Sequence, residues 1–342
     1  MKISFLVTYY NQKKYVEQSI KSILAIEKPC DWEIIVGDDG STDGTIEEVE
    51  KFIRFYPDKI KLFIMPRELG KTYDAVKRAS ANRLNILEQS TGDIFCTLDG
   101  DDFFCDKNFV RDAINIFKKD KNISVIVFGF RYYCNGLLGK EITLPEKEHN
   151  HKVCKNLYLE KFYIHAGGCV HRKSFPKSRI DYIKKIGFFD DNNIVINSLK
   201  YGDAFSVNRA IYAYRQTGNS IYTSMNEFEQ AVLNVQGLDV DLRLIGKESE
   251  DIILHRYSKD FILIFIWKEY IKSILGELKF MRYKDGCSSL MPSYCYNLLN
   301  YPNIDNDTRK RMNYIFRVLA NKNIKFTLKK IIKFLSWRLL SK

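Results

Sequence analysis

Short apolar runs and amphipathic stretches take turns along the first hundred residues. Ile3–Val7 is an apolar run that ends in the polar loop Thr8-Tyr9-Tyr10-Asn11-Gln12, and Tyr15, Ile20, Ile23 and Leu24 then recur at helical spacing. Trp32–Val36 predicts a second strand ending in Gly37-Asp38-Asp39-Gly40-Ser41. Thr42 or Asp43 is placed to cap a helix whose apolar face carries Ile46, Val49, Phe52 and Ile53. Ile60–Met65 predicts a third strand, Thr72–Glu88 a long helix and Ile94–Leu98 a fourth strand. Strands separated by helices imply a mostly parallel sheet with helices on its faces, and ligands of such sheets bind at the carboxyl ends of the strands.

Further on, 107–119 predicts an amphipathic helix and Val125–Tyr133 a strand, followed by a polar excursion from Gly136 to Val153. Two strand-like pieces, Gly168–His171 and Phe205–Tyr214, precede a pattern that turns helical at Glu227, with an apolar run Phe261–Trp267 and a break at Asn300–Asn303. Repeats and low-complexity segments are absent.

At 342 residues the chain has room for about two domains, or for one large domain with an appendage. Hydrophobic residues make up 45% and charged residues 28%, which excludes a disordered or fibrous chain. An apolar stretch of 18 residues is lacking, so a spanning helix is not expected. Met1–Phe5 runs straight into a strand with no cleavage site, so neither is a signal peptide. The eight cysteines show no C-x-x-C spacing and read as buried thiols of a reducing compartment, the cytoplasm. Net charge is +12, but Thr308–Lys342 alone holds eleven Lys and Arg with no acid. The basic character therefore belongs to the tail, apart from any chemistry upstream.

The densest chemistry is Asp99-Gly100-Asp101-Asp102, directly after the fourth strand. Three carboxylates so close repel one another unless a cation or donor compensates them, and Mg²⁺ characteristically takes one or two carboxylates together with substrate phosphate oxygens. The plainer reading is an acidic turn before the next helix. Asp38-Asp39 forms a second cluster, where a carboxylate at a strand end can accept from a nucleobase N–H while Gly40 and Ser41 let the backbone approach. A turn and N-cap would explain Asp43 and the glycines but not the paired acids. Neither a P-loop nor a Gly-x-Gly-x-x-Gly follows any strand, which removes kinase-like and dinucleotide readings.

These residues carry a resemblance. Val7-Thr8-Tyr9-Tyr10-Asn11 with Tyr15, Ser19-Ile20 and Ser22-Ile23-Leu24, then Glu33–Thr45, then Thr91-Gly92-Asp93-Ile94 leading to Leu98–Asp102, resemble in order the three opening motifs of family 2 glycosyltransferases. The likeness implies a GT-A fold, a nucleotide-diphosphate sugar donor (a UDP-sugar above others), Mn²⁺ or Mg²⁺, and inversion at the anomeric carbon. It implies Thr8 and Tyr10 against the nucleoside, Asp39 on the base, Asp99 facing the ribose or sugar and Asp101 on the metal. The match departs at Arg67–Arg83, where the family's Gly is soon followed by Ala-Arg-Asn but Gly70 and Arg83 here are separated by extra residues.

Inverting transfer needs a base for the acceptor hydroxyl. The family supplies it from an acidic pair that opens a helix, a role that Asp190-Asp191 fits, with Asp191 preferred and Asp203 competing. Helix capping would account for one of the pair without chemistry. Tyr214-Arg215-Gln216-Thr217-Gly218-Asn219-Ser220 resembles a late motif of bacterial members acting on surface polymers, in which Arg215 and Ser220 would approach the diphosphate. The alternative for Arg215 is a solvated strand end. The histidines fit no zinc spacing, and only His165, on the acceptor side, stands out.

The implied domains are a GT-A domain over 1–225, with a nucleotide-binding half to 105 and an acceptor half after it, and a helical extension over 226–342. In the tail Ile324, Leu328, Ile331, Leu335 and Leu339 recur at helical spacing beside Lys322, Lys325, Lys329 and Lys333. Such a helix either lies in a membrane surface, making the protein peripheral to the cytoplasmic face, or packs on the protein with a solvated basic face. Nucleic acid is not an expected partner, since no recognisable module accompanies the charge. The implied acceptor is a glycan, free or lipid-linked, of a bacterial surface polysaccharide. The rivals are transfer to a polyprenyl phosphate and a catalytically silent glycan- or membrane-binding protein.

Overall fold

The computed structural model describes residues 1–217 except 69, 227–253 except 251, and 281–282, 290–291 and 310. Met1–Ser224 with Arg243–Glu248 form one compact unit, and Met225–Leu242 with Ser249–Lys342 a second. The apolar run 261–267, the break at 300–303, Ser220 and all of the basic tail except Lys310 lie outside the described residues.

The first unit opens with β1 (Lys2–Tyr9), α1 (Lys13–Leu24), β2 (Asp31–Asp38), α2 (Thr45–Phe55), β3 (Ile60–Ile64), α3 (Ala75–Gln89) and β4 (Ile94–Asp99). It continues with β5 (Phe103–Phe104), α4 (Phe109–Lys119), β6 (Ile123–Val127), β7 (Phe130–Cys134), β8 (Leu137–Ile142), β9 (Lys152–Val153) and α5 (Lys155–Lys161). It closes with β10 (Cys169–Arg172), α6 (Lys177–Ile186), α7 (Asp191–Leu199), β11 (Asp203–Ser206) and β12 (Tyr212–Arg215). The helix α8 (Glu227–Ile245) follows, and in the second unit a ladder pairs β13 (Met281–Arg282) with β14 (Leu290–Met291).

Eight strands make the large sheet in the order β3-β2-β1-β4-β10-β6-β11-β9. β1, β2, β3 and β4 run parallel, as does β11 on β6, whereas β10 is antiparallel to both its neighbours. Parallel strands covered on both faces need continuous apolar runs, and Ile34, Ile35 and Val36 of β2 are fully buried. In register, Tyr9 pairs with Asp38 and Thr8 with Asp99, so the polar ends of three strands lie side by side.

At the opposite ends, buried Glu33 accepts from Ser4 Oγ at 2.7 Å, Thr91 N at 2.6 Å and Lys2 Nζ at 2.9 Å. Part of the motif that carried the resemblance thus holds strands together rather than substrate. Nor does α2 begin as expected: its N-cap is Gly44, while Asp43 accepts from the Thr45 and Lys13 backbone N–H groups, both at 3.0 Å. Asp74 does cap α3, accepting from Val76 N at 3.0 Å.

The single strand expected over Val125–Tyr133 is two strands of different sheets. β6 stays in the large sheet, and after Gly129 the chain enters a second sheet ordered β5-β12-β7-β8. A Cβ on Gly129 would lie 2.4 Å from the Ile142 carbonyl oxygen, so only glycine passes this crossing. The expected strand over Phe205–Tyr214 likewise divides into β11 and β12, and the polar excursion after Gly136 contains β8 and β9.

Candidate active site

The site is built at the carboxyl ends of β1, β2 and β4. After β4 the chain turns at Gly100, where a Cβ would meet the buried Tyr9 ring at 2.1 Å. This tight turn separates the carboxylates of Asp99, Asp101 and Asp102. Thr8 Oγ1 donates to Asp99 Oδ1 at 3.2 Å.

Asp102 faces inward. It is 2% exposed and accepts from the Tyr212 hydroxyl and, at 2.6 Å, from Arg215 N. It anchors β12. Asp101 has its carboxyl pushed up to about 6, by burial first and by Asp99 second, with Gln12 hydrogen-bonded to it. Arg215 takes the Asp101 backbone carbonyl at 2.5 Å rather than the carboxylate, and its other nitrogen donates to Gln18 Oε1 at 2.5 Å. Its guanidinium lies 4.7 Å from the ring centres of both Tyr15 and Tyr133. A buried acid that resists ionisation beside a second carboxylate suits a divalent cation, and Asp101 is the residue that would hold it.

At the carboxyl end of β2, Asp38 is absorbed in the turn, accepting from Ser41 N at 2.7 Å and Ser41 Oγ at 2.6 Å. Asp39 is buried, and its two oxygens are paired with Arg67 and Arg78. The Arg67 guanidinium also lies 3.9 Å from the ring centre of exposed Tyr10. Sequence reasoning missed both arginines, since they lie in the stretch where the motif match departs. Lys71, of the same stretch, pairs with nearby Glu68 at 3.1 Å and lies 5.6 Å from the Tyr73 ring centre.

Arg83 ties the two sides of the site together. From α3 it bonds Asp99 at 3.2 Å and Asp190 at 3.0 Å, and lies 4.0 Å from Asp191. Asp190 is the N-cap of α7, in a reciprocal capping box with Asn193 whose Oδ1 accepts from Asp190 N at 3.0 Å. Asp191, the first residue of α7, is free of that duty. Burial pushes its carboxyl up, but His165 and Arg83 outweigh burial and hold it ionised.

His165 Nε2 sits 2.9 Å from Asp191 Oδ2, and its Nδ1 accepts from Gly167 N at 3.2 Å. Burial works against a proton on the ring, but Asp191 opposes burial and strengthens the ring's hold on the Nε2 proton that faces it. Ligand atoms of Asp99, His165 and Asp191 fall within 4.8 Å of one another. Arg83, however, already pairs with both of those carboxylates as well as with Asp190, and so offsets part of their charge.

Asp203, the competing candidate, lies at the amino end of β11, where it pairs with Lys152 at 3.1 Å and accepts from Lys155 N at 2.8 Å. The structure thus brings Thr8, Asp99, Asp101, Arg215, Asp190 and Asp191 around one cleft with Arg83 and His165 added. It leaves Asp203 at the other end of the sheet. No described helix is long and apolar enough to cross a membrane.

Residues 4–178 match the model of "Glycosyl transferase family 2". The glycosyltransferase EpsE of Bacillus subtilis is 31% identical over 148 residues, 42% of this chain and 50% of that protein. WfgD of Escherichia coli, a UDP-Glc:alpha-D-GlcNAc-diphosphoundecaprenol beta-1,3-glucosyltransferase, is 26% identical over 56% of this chain and 71% of its own. The chain therefore spans only half the length of EpsE. Among solved structures, residues 1–349 of Staphylococcus aureus TarS in complex with UDP-GlcNAc superpose with a TM-score of 0.52 at 19% identity, over 76% of this chain and 73% of that one. Likeness at that identity speaks for the fold, and it agrees with the GT-A arrangement of strands and helices. With half of its length matched by the family model and the opening motifs converging on one cleft, the chain belongs to glycosyl transferase family 2.

Proposed function

We propose that this chain moves a sugar from a nucleotide-diphosphate sugar, a UDP-sugar, to a hydroxyl of a glycan acceptor, with inversion, in the synthesis of a bacterial surface polysaccharide or glycoconjugate. The observation that carries the reading is the convergence of the Asp99–Asp101 turn and Asp191 on a single arginine, Arg83. Donor-binding and base-bearing elements are thereby held at one point.

In this reading Asp39 accepts from the base N–H while Arg67 donates to a base carbonyl and Tyr10 covers the ring. Asp99 receives a hydroxyl of the ribose or sugar. Asp191 takes the proton of the acceptor hydroxyl as its oxygen attacks the anomeric carbon, and the bond to the diphosphate breaks on the opposite face. Arg215, held between Tyr15 and Tyr133, is aimed at the departing phosphates, and its planar fork suits them. Ser220, outside the described residues, would join it. Mn²⁺ or Mg²⁺ on Asp101 would neutralise charge developing on the leaving diphosphate.

The division into a nucleotide half to residue 105, an acceptor half to 225 and an extension is part of the same proposal. So is action at the cytoplasmic face of a membrane, with the basic tail meeting anionic lipid. WfgD acts on a lipid-linked sugar, which favours a lipid-linked glycan as the acceptor here.

Calorimetric titration with UDP and with GDP, each with Mn²⁺ or Mg²⁺ and then with EDTA, tests the reading. UDP binding that needs the metal and is lost in Asp101→Asn is expected. If neither nucleotide binds with or without metal, the reading fails and a non-catalytic role takes its place.

A further inference from the structure

His165 is buried, is bonded to Asp191, and does no chemistry in the scheme above. Its ring is fixed on every side. It stacks on Tyr212 with centroids 5.1 Å apart at 22°, lies 5.1 Å from Tyr214 and 6.0 Å from Phe130, and receives the Gly167 N–H on Nδ1. With Nδ1 occupied by a donor, the proton between ring and carboxylate sits on Nε2, which points at Asp191 Oδ2.

We propose that His165 is a positioning residue for the base: it pins one oxygen of Asp191 so that the other, Oδ1, is presented to the acceptor hydroxyl. The inference rests on Asp191 being the base. Arg83 is why pinning matters. Its guanidinium is 4.0 Å from Asp191 Oδ1, and a carboxylate free to rotate could close on that fork with both oxygens. It would then be held away from the acceptor and be a weaker base. His165 keeps Oδ2 out of that embrace.

The pin has its own support. Tyr212, beneath the ring, donates to Asp102, and Asp102 also holds the backbone of Arg215. The donor turn and the base are therefore linked through Asp102, Tyr212 and His165, independently of Arg83.

Three variants separate this role from a packing role. In His165→Gln the amide can still donate to Asp191, while in His165→Asn it is too short, and His165→Leu removes the donor altogether. UDP release from UDP-glucose and from UDP-N-acetylglucosamine is followed with octyl β-glucoside as acceptor. We expect His165→Asn and His165→Leu to lose about ten- to a hundredfold in kcat, as for a hydrogen bond to a charged group. The KM for donor and the calorimetric affinity for UDP should stay within about twofold, and His165→Gln within about fivefold of the parent in kcat. Equal losses in the Gln and Asn variants, or a Leu variant with undiminished kcat, would overturn the proposal.

Asp191→Ala tells the two failures apart. If it keeps most of the turnover, the base assignment itself is wrong; if it abolishes turnover and His165→Leu does not, only the role of His165 falls. Should neither donor turn over, ¹⁵N NMR of the UDP-bound protein decides. A slowly exchanging Nε2–H that disappears in Asp191→Ala supports the pin, and a ring whose protons exchange freely refutes it.

Discussion

Glu33 shows how much a single side chain can owe to its neighbours. Burial alone would raise its carboxyl, but hydrogen bonds from Thr91, Ser4 and Lys2 outweigh burial and lower it. A carboxyl lowered in the folded state stabilises the fold above the unfolded value of about 4.3, and that stabilisation is lost as pH falls through the folded value. Glu33→Gln should therefore cost about 2 kcal/mol near neutrality, and the gap to the parent should close below about pH 4. Denaturant melts of both proteins across pH 3–7 check this, and a gap independent of pH would assign the loss to packing. The residue lay inside a motif legible in the sequence, yet its role was not. The spacing Glu33–Thr91 says nothing of contact until β1, β2 and β4 are aligned. The same holds for Arg83, His165 and Arg67: each acts across a gap in sequence that no local pattern spans. Asp101 and Asp191 stand out in the sequence because each sits in a short acidic cluster beside a strand or helix end.

Among elements, the hardest to foresee was the passage from β6 to β7. Nine residues, Val125–Tyr133, carry an unbroken strand-like run, and apolar patterning cannot tell one long strand from two that belong to different sheets. The distinguishing feature is Gly129, whose missing side chain lets the Ile142 carbonyl approach. Gly129→Ala should lower the melting temperature by several degrees, since overpacking against backbone costs about 1–3 kcal/mol. The loss should be accompanied by weaker turnover, because β7 pairs with β12 along Phe130–Tyr133 and so supports Tyr212 and Arg215. A variant with full activity and an unchanged melt would show that the crossing has slack. By contrast, β1, β2, β3 and β4 were legible to within a few residues. Each is a mainly apolar run set off by turn or helix residues, and in β1, β2 and β4 burial on both faces leaves little else such a run can be.

At the scale of the whole molecule, the order of assembly follows from where the donor turn finds its anchors. All three opening motifs have been synthesised by residue 105, but among the described residues the Asp102 carboxylate accepts from Tyr212 and Arg215, and Arg83 reaches Asp190 across 107 residues. A nascent chain stopped after β5 would have Arg83 and Thr8 beside Asp99 but would lack the donors that Tyr212 and Arg215 give Asp102. The proposed nucleotide pocket is thus chemically specified early and physically completed late, when β12 slots between β5 and β7. Pairings this distant in sequence form slowly. On refolding from denaturant, far-ultraviolet circular dichroism should recover before metal-dependent UDP binding does, and simultaneous recovery would contradict this order. Until β12 arrives, the growing chain carries the acids of the proposed donor site without the strand that anchors them, and under that proposal no half-made protein captures donor ahead of an acceptor.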